Sequence, residues 1–408
     1  MTEAASRLAS AAASSAGRWP WWAQVGAIYG AARLVSACIF MAAALHQGVN
    51  PWFPATPDYW NFINIWDGRW YGEVLASGYP ADLPVDGTGN VKENAWAFYP
   101  LFPFLGRAVT ALTGVSPAIS LTLIATAAGL AAAMVVYGLF RHRAAHGPAL
   151  WAVAFFSAFP VAAVFQVPYA ESLNILLLAS GLLLVLRRQY LWAIPVVLLM
   201  CLSRPTGVPF AAMIALLLLL LLFRSWGRSH EAGSHNHSVG ELWSLAGLTA
   251  ASAAGALAWP AIAWAATGDP EAYTKTETVW RGHDLVPFKP WFDTGIQLFG
   301  PVLGVLAPFA FAVLFTLLMM SGPVTQLGLE LRLWCVCYMA YLLVFLHPQT
   351  STFRMLLPLF PLALGAALVS RSRAYRGAVI TMYVLLQIVW IVWLWAWAEL
   401  PGGGDYPP

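Results

Sequence analysis

Long apolar runs alternate with short polar segments along most of the chain, from near residue 21 to near residue 397. An α-helix needs about 17 to 25 residues to cross a hydrocarbon core of about 30 Å, and most of these runs have that length. Because a bilayer offers no water to the backbone, such runs are predicted to be helical. We predict eleven membrane spans, at about residues 21–45, 117–140, 148–165, 170–186, 190–203, 207–223, 242–266, 296–319, 331–346, 355–370 and 377–397.

The apolar segment 97–113 differs from these runs because turn-forming and charged residues interrupt it. The interruptions are Pro100, Pro103, Gly106 and Arg107. Proline removes a backbone donor and breaks a helix, so we predict a broken or half-inserted element. If it crossed the bilayer fully, the number of spans would be twelve and the sidedness of every later loop would be inverted.

The composition agrees with a membrane protein. Hydrophobic residues make up 60% of the 408 residues and charged residues only 10%, whereas roughly a quarter of the residues in a soluble domain are charged. The net charge is only +3, and no dense basic block indicates a nucleic-acid partner. We therefore predict an all-α, polytopic protein with one integral membrane domain over residues 1–408.

Basic residues in the short loops predict the sidedness, because such loops face the cytoplasm. With the N-terminus inside and 97–113 not spanning, the cytoplasmic loops carry Arg141, Arg143, Arg187, Arg188, Arg224, Arg228, Arg332, Arg371, Arg373 and Arg376. Two long loops, 46–97 and 267–295, then face the other side. We predict a multi-pass cell-membrane protein whose polar motifs gather on the extracytoplasmic face.

The first outer loop contains the stretch IWDGRWY, in which an acid and a base stand among large aromatic residues. A helix from this point would place on one face, at helical spacing, Asp67, Trp70, Tyr71, Val74 and Leu75. Arg69 and Glu73 would lie on the opposite face, and Gly78 would end the helix. We predict a short amphipathic helix at the membrane interface, with Asp67 at its start. Taken alone, Asp67 could equally be a helix N-cap.

Five motifs in order give the chain a recognisable pattern: WDGRWYGEVLASGYP, ENAWAFYPLFP, FPVAAVFQVPYAESL, SRPTG and HPQTSTFRMLLPLFP. From about residue 60 to residue 362, this order resembles the second mannosyltransferase of GPI-anchor synthesis (the PIG-V type) and its bacterial relatives. The resemblance implies a GT-C type fold, a polyprenyl-phosphate-mannose donor and an active site on the extracytoplasmic face. By the same match, Asp67 is the catalytic aspartate.

The chain also departs from this family. Pro205 follows Arg204 where eukaryotic members have a polar residue, so the local backbone does not carry over. The Ala-, Leu- and Trp-rich composition looks bacterial, and most bacteria make no GPI anchor. The identity of the acceptor therefore does not carry over either; a glycolipid or a polysaccharide fits the prediction.

Transfer of a sugar from a lipid phosphate requires fewer acid groups than glycoside hydrolysis, which uses two carboxyl groups. Because phosphate leaves as a stable anion, one base and nearby positive charge are enough. We predict an inverting transferase with Asp67 as general base. The donor phosphate would bind Arg204, His347 and Arg354, and acceptor or supporting roles would fall to Glu93, Glu171, Trp66 and Tyr71.

Each of these polar residues also has an ordinary structural interpretation. Arg204 and Arg354 flank predicted spans, where cations commonly extend to the membrane surface. His347 could be a helix C-cap, and Glu171 could be an acid that the helix dipole favours. Arg33 lies within the first span, where an ionisable group is a functional candidate by default, but no motif connects it to the other residues.

The sequence identifies no cofactor. The histidines His230, His235 and His237 lie in a Gly/Ser-rich segment that lacks the spacing of a preorganised metal site. The four cysteines, Cys38, Cys201, Cys335 and Cys337, lie in apolar segments and are interpreted as small core residues. Whether a divalent metal takes part stays open.

Two other functions remain as alternatives. A transporter or flippase of lipid-linked sugars should show paired interrupted helices and ionisable residues near the midplane, in related repeats. The sequence contains no such repeat, and its acids lie in loops. A structural membrane protein without activity is the third interpretation.

Overall fold

The computed structural model of the chain describes residues 19–227, 239–281, 285–399 and 407–408. Within these ranges the secondary structure is helical, apart from one isolated β-bridge between Val85 and Val91. The all-α prediction is confirmed. The α-helices in chain order are α1 (Trp21–Ala44), α2 (Tyr59–Ile63), α3 (Asp67–Ser77), α4 (Leu101–Thr113), α5 (Pro117–Arg141), α6 (His146–Ala158), α7 (Glu171–Leu186), α8 (Tyr190–Cys201), α9 (Gly207–Gly227), α10 (Val239–Thr267), α11 (Ala272–Thr278), α12 (Lys289–Met320), α13 (Gly322–Thr325), α14 (Gly328–Phe345), α15 (Thr352–Met355), α16 (Leu362–Val369) and α17 (Arg373–Val389).

Six helices in the described ranges are long and apolar enough to cross a bilayer, namely α1, α5, α10, α12, α14 and α17 with its π-helical continuation Trp390–Trp395. A bent pair of helices, 352–359 and 362–369, makes a seventh if it forms one span. Helices α4, α7, α8 and α9 are apolar but shorter. A multi-pass architecture follows, and the number of eleven crossings stays a prediction.

The predicted span 148–165 is wrong as a continuous helix. Helix α6 ends at Ala158, and a 3-10 turn, Ala162–Gln166, follows. Phe159 leaves the helical region with ψ of 144° because it precedes Pro160, whose ring disfavours the helical conformation of the preceding residue. At 13 residues, α6 is only about 20 Å long.

The predicted span 355–370 is also not one straight helix. Its two parts, 352–359 and 362–369, meet at an angle of 76°. Pro358 and Pro361 lie at this break, where each removes a backbone donor from the helix ladder. The break turns the chain sharply within the same motif as Arg354.

The predicted span 296–319 begins earlier than expected and is folded back on itself. Helix α12 starts at Lys289 and reverses direction at Gly300, whose φ of 78° is easily adopted only by glycine. The two legs pack closely enough that a Cβ on Gly295 would lie 2.4 Å from the carbonyl oxygen of Gly304. The end of the predicted loop 267–295 is therefore the first leg of a helical hairpin.

Arg33, left unassigned by the sequence, stabilises the break after α6. Its guanidinium group is buried and donates hydrogen bonds to the carbonyl oxygens of Ala162 and Ser157, the latter at 2.7 Å. Carbonyls at the end of a helix lack partners within the helix. Arg33 therefore satisfies the interrupted backbone and lies outside the candidate site described below.

The cysteine prediction holds for three of the four residues. Cys201, Cys335 and Cys337 are buried, whereas Cys38 is exposed on the outer face of α1, and all four are free thiols. The prediction of a core residue is wrong for Cys38. It lies on a helix long enough to span the membrane, where an exposed side chain faces lipid and an apolar thiol is tolerated.

The candidate site and the basic loops lie at opposite ends of the bundle. Glu171 begins α7 and Arg187 follows the end of that helix, which places them about 24 Å apart along its axis. At the Arg187 end, Arg143 forms an ion pair of 2.5 Å with Glu330 near the start of α14.

Candidate active site

Helix α3 has the bounds and the orientation that the sequence predicts. It begins at Asp67, buries Tyr71 on its inner face, and leaves Arg69 and Glu73 exposed. It ends at Gly78, which has a φ of 79°. Apolar side chains at helical spacing pack against the bundle because this removes them from water.

Residues 101–113, predicted to be broken or half-inserted, form one continuous helix of 13 residues, so the prediction of a break is wrong in this range. This helix, α4, holds α3 in place. Arg107 in α4 donates hydrogen bonds to the carbonyl oxygens of Leu75 at 2.6 Å and Val74 at 2.9 Å. These carbonyls belong to the last turn of α3, where a cation interacts favourably with the helix dipole. The sequence prediction treated Arg107 only as an interruption.

Two carboxylates and two guanidinium groups form one network at the start of α3. The Arg354 Nη1 donates to Asp67 Oδ2 and, at 2.9 Å, to Glu171 Oε1. The Arg204 Nη1 lies 3.1 Å from the same Glu171 oxygen. The sequence predicted one carboxylate facing cations, so the close involvement of Glu171 is a new feature.

The four side chains differ in their access to solvent. Glu171 and Arg354 are 4% and 5% exposed, whereas Arg204 and Asp67 are 15% and 18% exposed. Asp67 is therefore the more accessible of the two carboxylates, and Glu171 lies behind the guanidinium groups. Among the described residues, no donor contacts the Asp67 Oδ1 oxygen.

One cavity of about 500 Å³ contains every site residue that the sequence nominated. They are Trp66, Asp67, Tyr71, Glu93, Glu171, Arg204, His347 and Arg354. These residues come from five separated motifs, so their convergence is a property of the fold. It does not by itself assign a role to any of them.

The geometry argues against three of the ordinary interpretations. Arg354 and Arg204 point into the protein and pair with carboxylates, so they are not cations reaching for the membrane surface. Trp66 occupies the N-cap position of α3, and the Asp67 side chain pairs with Arg354 instead of capping. His347 lies one residue beyond the C-cap of α14, Leu346, in the wall of the cavity.

Burial and the neighbouring charges determine whether Arg204 and Tyr71 are charged in this network. Burial alone would lower the pKa of Arg204, but the charge of Glu171 raises it above its ordinary value, so the guanidinium stays charged. Burial raises the pKa of the Tyr71 hydroxyl above its usual range. Tyr71 is therefore a neutral hydroxyl beside the ion pairs.

A strained residue immediately precedes Asp67. Trp66 has φ of 55° and ψ of −127°, a combination that non-glycine residues rarely adopt and that the surrounding structure must hold. Its indole Nε1 donates to the Trp395 carbonyl oxygen at 2.8 Å, and the Trp395 Nε1 donates to the Phe62 carbonyl oxygen at 2.9 Å. These two hydrogen bonds, called the clamp below, hold the loop that carries Asp67 against the π-helix Trp390–Trp395.

Tyr169 completes this support and was not nominated as a site residue. Its hydroxyl oxygen accepts a hydrogen bond of 3.2 Å from the Asp67 backbone N–H, and its ring lies 5.0 Å from the Arg354 guanidinium carbon. The quoted motif VPYAES contains Tyr169, which was the available signal. Nothing in the apolar run around Trp395 indicated a contact with Trp66, 329 positions away.

We predict that replacing Trp395 by phenylalanine loosens the Asp67 loop. The substitution removes the donor to Phe62 but keeps an aromatic ring, and one lost hydrogen bond is worth about 1 kcal/mol. Backbone amides of residues 62–70 should then exchange with deuterium about fivefold faster. Trp393→Phe, at an exposed position of the same segment, is the control, and equal exchange in both variants would contradict the clamp.

The second long loop, predicted at residues 267–295, forms part of the cavity wall. No sequence motif in this loop indicated that position. Glu277 and Trp280 line the cavity, and the Trp280 ring packs edge-on against Phe98 at 6.3 Å. A hydrogen bond of 3.0 Å from Asn94 to Thr276 joins this loop to the first one. The two long loops therefore form this part of the site together.

No metal centre was found in the part of the chain that the structure describes, where no group of three His, Cys, Asp or Glu side chains could hold an ion. The histidines His230, His235 and His237 lie outside the described residues.

No protein-family model matches the chain, and no curated protein matches it. Two solved structures of the Archaeoglobus fulgidus oligosaccharyltransferase are similar, one tethered to an acceptor peptide and one in complex with zinc and sulfate. They share 14% and 16% identity, with TM-scores of 0.45 and 0.38, and 90% of this chain is covered in both. The chain spans about half of their length, 54% and 49%, and TM-scores below 0.5 do not establish a common fold.

Proposed function

We propose that this chain is a glycosyltransferase of the GT-C type that moves mannose from polyprenyl-phosphate mannose to a hydroxyl group of an extracytoplasmic acceptor. The observation that carries this proposal is the pairing of Asp67 with Arg354 at the wall of a cavity, with Arg204 close behind. One accessible carboxylate beside two guanidinium groups is the arrangement that transfer from a phosphate leaving group requires.

The guanidinium groups are suited to the departing phosphate. Arg354 uses Nη1 for both carboxylates, and among the described residues its Nε has no hydrogen-bond partner. Arg204 directs Nη2 toward the Met355 sulfur at 3.6 Å, a weak contact that a phosphate oxygen would replace. His347 lines the same cavity and adds a further nitrogen donor.

Asp67 is the better base because it is the more accessible carboxylate. The Asp67 Oδ2 accepts a hydrogen bond from Arg354. A donor phosphate that binds Arg354 competes for that guanidinium and frees Asp67 to accept a proton from the acceptor hydroxyl. The donor therefore binds before the acceptor loses its proton.

The transfer itself is a single displacement that inverts the anomeric carbon. The acceptor oxygen forms a bond to C1 on the face opposite the phosphate, while its proton passes to the Asp67 carboxylate. The bond between C1 and the phosphate oxygen breaks, and its electron pair leaves with polyprenyl phosphate, which Arg354 and Arg204 stabilise. The proton on Asp67 then returns to water.

Aromatic walls favour a sugar or polyol as the acceptor. Trp70, Trp280 and Phe345 line the cavity beyond Asp67, and the exposed carboxylate of Glu93 lies in the same wall. Flat rings pack against the C–H faces of a sugar, and carboxylates accept hydrogen bonds from its hydroxyl groups. A volume of about 500 Å³ is within the usual range for small-molecule sites. Both a glycolipid and a polysaccharide end fit these features.

The site lies at the end of the bundle opposite the basic loops, which supports an extracytoplasmic location for the site. We predict that a cysteine at Val85 reacts with a membrane-impermeant maleimide on intact cells, and that one at Ala145 reacts only after lysis. Both positions are exposed, and Cys38→Ser removes the exposed native thiol. The reverse pattern would place the site in the cytoplasm.

A transfer assay tests the proposed function directly. Purified protein in lipid vesicles is given labelled polyprenyl-phosphate mannose, or the same label as a nucleotide sugar, with membrane extract as the source of acceptor. We expect transfer from polyprenyl-phosphate mannose and none from the nucleotide sugar. Polyprenyl-phosphate glucose should be a poor donor. Movement of intact donor across the vesicle membrane without any transfer would favour a flippase.

A further inference from the structure

A second cavity of about 570 Å³ adjoins the active site on the side of the broken helix pair. Its walls are hydrocarbon, with Phe156 and Phe159 from α6 on one side and Ala363 and Ala366 from α16 on the other. We call it the apolar groove.

Three side chains with a hydroxyl group line the apolar groove, and two of them have partners in the protein. The Tyr375 hydroxyl donates to the Ala366 carbonyl oxygen at 3.0 Å, and the Ser321 hydroxyl donates to the Leu318 carbonyl oxygen at 2.7 Å. The third is Tyr383, and the rest of the lining is hydrocarbon. Such walls favour an apolar ligand, because burial of apolar surface is the main attraction that they offer.

The segment after Arg354 forms the common wall of the two cavities. Met355 and Pro358 line the active-site cavity, Leu356 and Leu359 line the apolar groove, and Leu357 lines both. Two residues, Met355 and Leu356, therefore separate Arg354 from Leu357, whose side chain lines both cavities. A ligand with a charged head and an apolar tail could follow this segment from one cavity into the other.

The apolar groove runs away from the active site along the bundle. Beyond Leu357 it follows α16, which is about 12 Å long, to Gly365, whose Cβ would lie 3.0 Å from Val324. Val324 lies in α13, next to the start of α14 where Gly328 packs against Arg143. The groove thus extends from the depth of the phosphate-binding groups toward the opposite face of the membrane.

We propose that the apolar groove holds the first isoprene units of the polyprenyl chain of the donor. This inference rests on the proposed function, because it takes the phosphate to be bound at Arg354. The chain is attached to that phosphate and must return to an apolar environment. On the Arg354 side, the adjoining hydrocarbon space is this groove, and its direction matches that of a chain crossing the bilayer.

Binding of polyprenyl phosphate without sugar tests the groove separately from catalysis. Ala363→Phe fills the groove, and Ala254→Phe, on an exposed face of α10, is the matched control. Affinities are measured in nanodiscs for a long-chain polyprenyl phosphate and for dimethylallyl phosphate, which has one isoprene unit. We expect Ala363→Phe to weaken binding of the long chain about tenfold, the effect of displacing about two buried methylene groups. The short probe and the control should change less than about twofold.

The outcomes separate this inference from the proposed function. If Arg354→Ala leaves the binding of both probes unchanged, the phosphate site fails, and the groove proposal that depends on it fails too. If Arg354→Ala weakens both probes but Ala363→Phe affects neither, or both equally, the groove alone is wrong. A polyprenyl phosphate with a photoreactive group on its second isoprene unit gives an independent check in the unmodified protein. Labelling of α16 or α6 supports the groove, and labelling of α14 alone overturns it.

Discussion

Replacing Asp67 by asparagine should reduce the rate of mannose transfer about 10²- to 10⁴-fold, the usual contribution of a positioned general base. The same change should leave donor affinity unchanged or raise it a few-fold, because asparagine no longer holds Arg354 through an ion pair. The opposite directions of the two effects distinguish loss of a base from general damage to the site. The measurement is single-turnover transfer together with the Kd for polyprenyl phosphate.

The matched control for this prediction is Asp82→Asn. Asp82 is an exposed acid of the same outer loop and does not line the active-site cavity. Its substitution should leave transfer within about twofold of the wild type. If Asp67→Asn kept more than about a tenth of the wild-type rate, another group would have to accept the proton.

Replacing Arg354 by alanine should have two large effects with different causes. Donor affinity should fall about 10- to 100-fold, because hydrogen bonds to charged groups are worth about 1.5–3 kcal/mol. The protein should also become less stable by about 3 kcal/mol, since removal of Arg354 leaves Asp67 without its cation and the buried Glu171 with Arg204 alone. Affinity is measured with polyprenyl phosphate and stability by thermal unfolding in detergent.

A second substitution separates these two effects of Arg354→Ala. Adding Asp67→Asn removes the carboxylate that Arg354→Ala leaves without a cation and should restore part of the lost stability. It should not restore donor affinity, since the guanidinium is still missing. Arg187→Ala, at the opposite end of the bundle, is the control and should change neither quantity. Unchanged donor affinity in Arg354→Ala would remove this residue from the phosphate site.

The sequence predicted α3 well because one physical rule controls it. The amphipathic spacing fixes which side chains pack inward, and it placed Arg69 and Glu73 outside as observed. The charges of the loops likewise predicted that the polar motifs gather at one end of the bundle, and residues of all five motifs line one cavity. Helical periodicity depends on residues that are close in sequence, and loop charge indicates at which end of the bundle a loop lies. Both can therefore be read from a single sequence.

The sequence did not predict how the apolar segments break. The spans 148–165 and 355–370 were predicted from apolarity, which does not distinguish a straight helix from one that turns. The prolines at 160, 358 and 361 were visible, but proline within a membrane helix is tolerated when neighbouring groups satisfy the freed backbone. Here the buried Arg33 is such a neighbour, and its contact is 129 positions distant in sequence.

The pairing of side chains was also beyond the reach of the sequence. Glu171 was interpreted as an acceptor or supporting residue or as a helix-start acid, yet it shares Arg354 with Asp67, 183 positions from that arginine. The clamp between Trp66 and Trp395 joins two aromatic residues in a chain with 21 tryptophans. Such contacts depend on how helices pack in three dimensions, which hydrophobic periodicity does not specify.

A structure of the Asp67→Asn variant with polyprenyl-phosphate mannose bound tests the central claim most directly. The account predicts the donor phosphate between Arg354 and Arg204, with the face of the anomeric carbon opposite that phosphate turned toward residue 67. A phosphate bound elsewhere, or a sugar whose reactive face points away from residue 67, would contradict it.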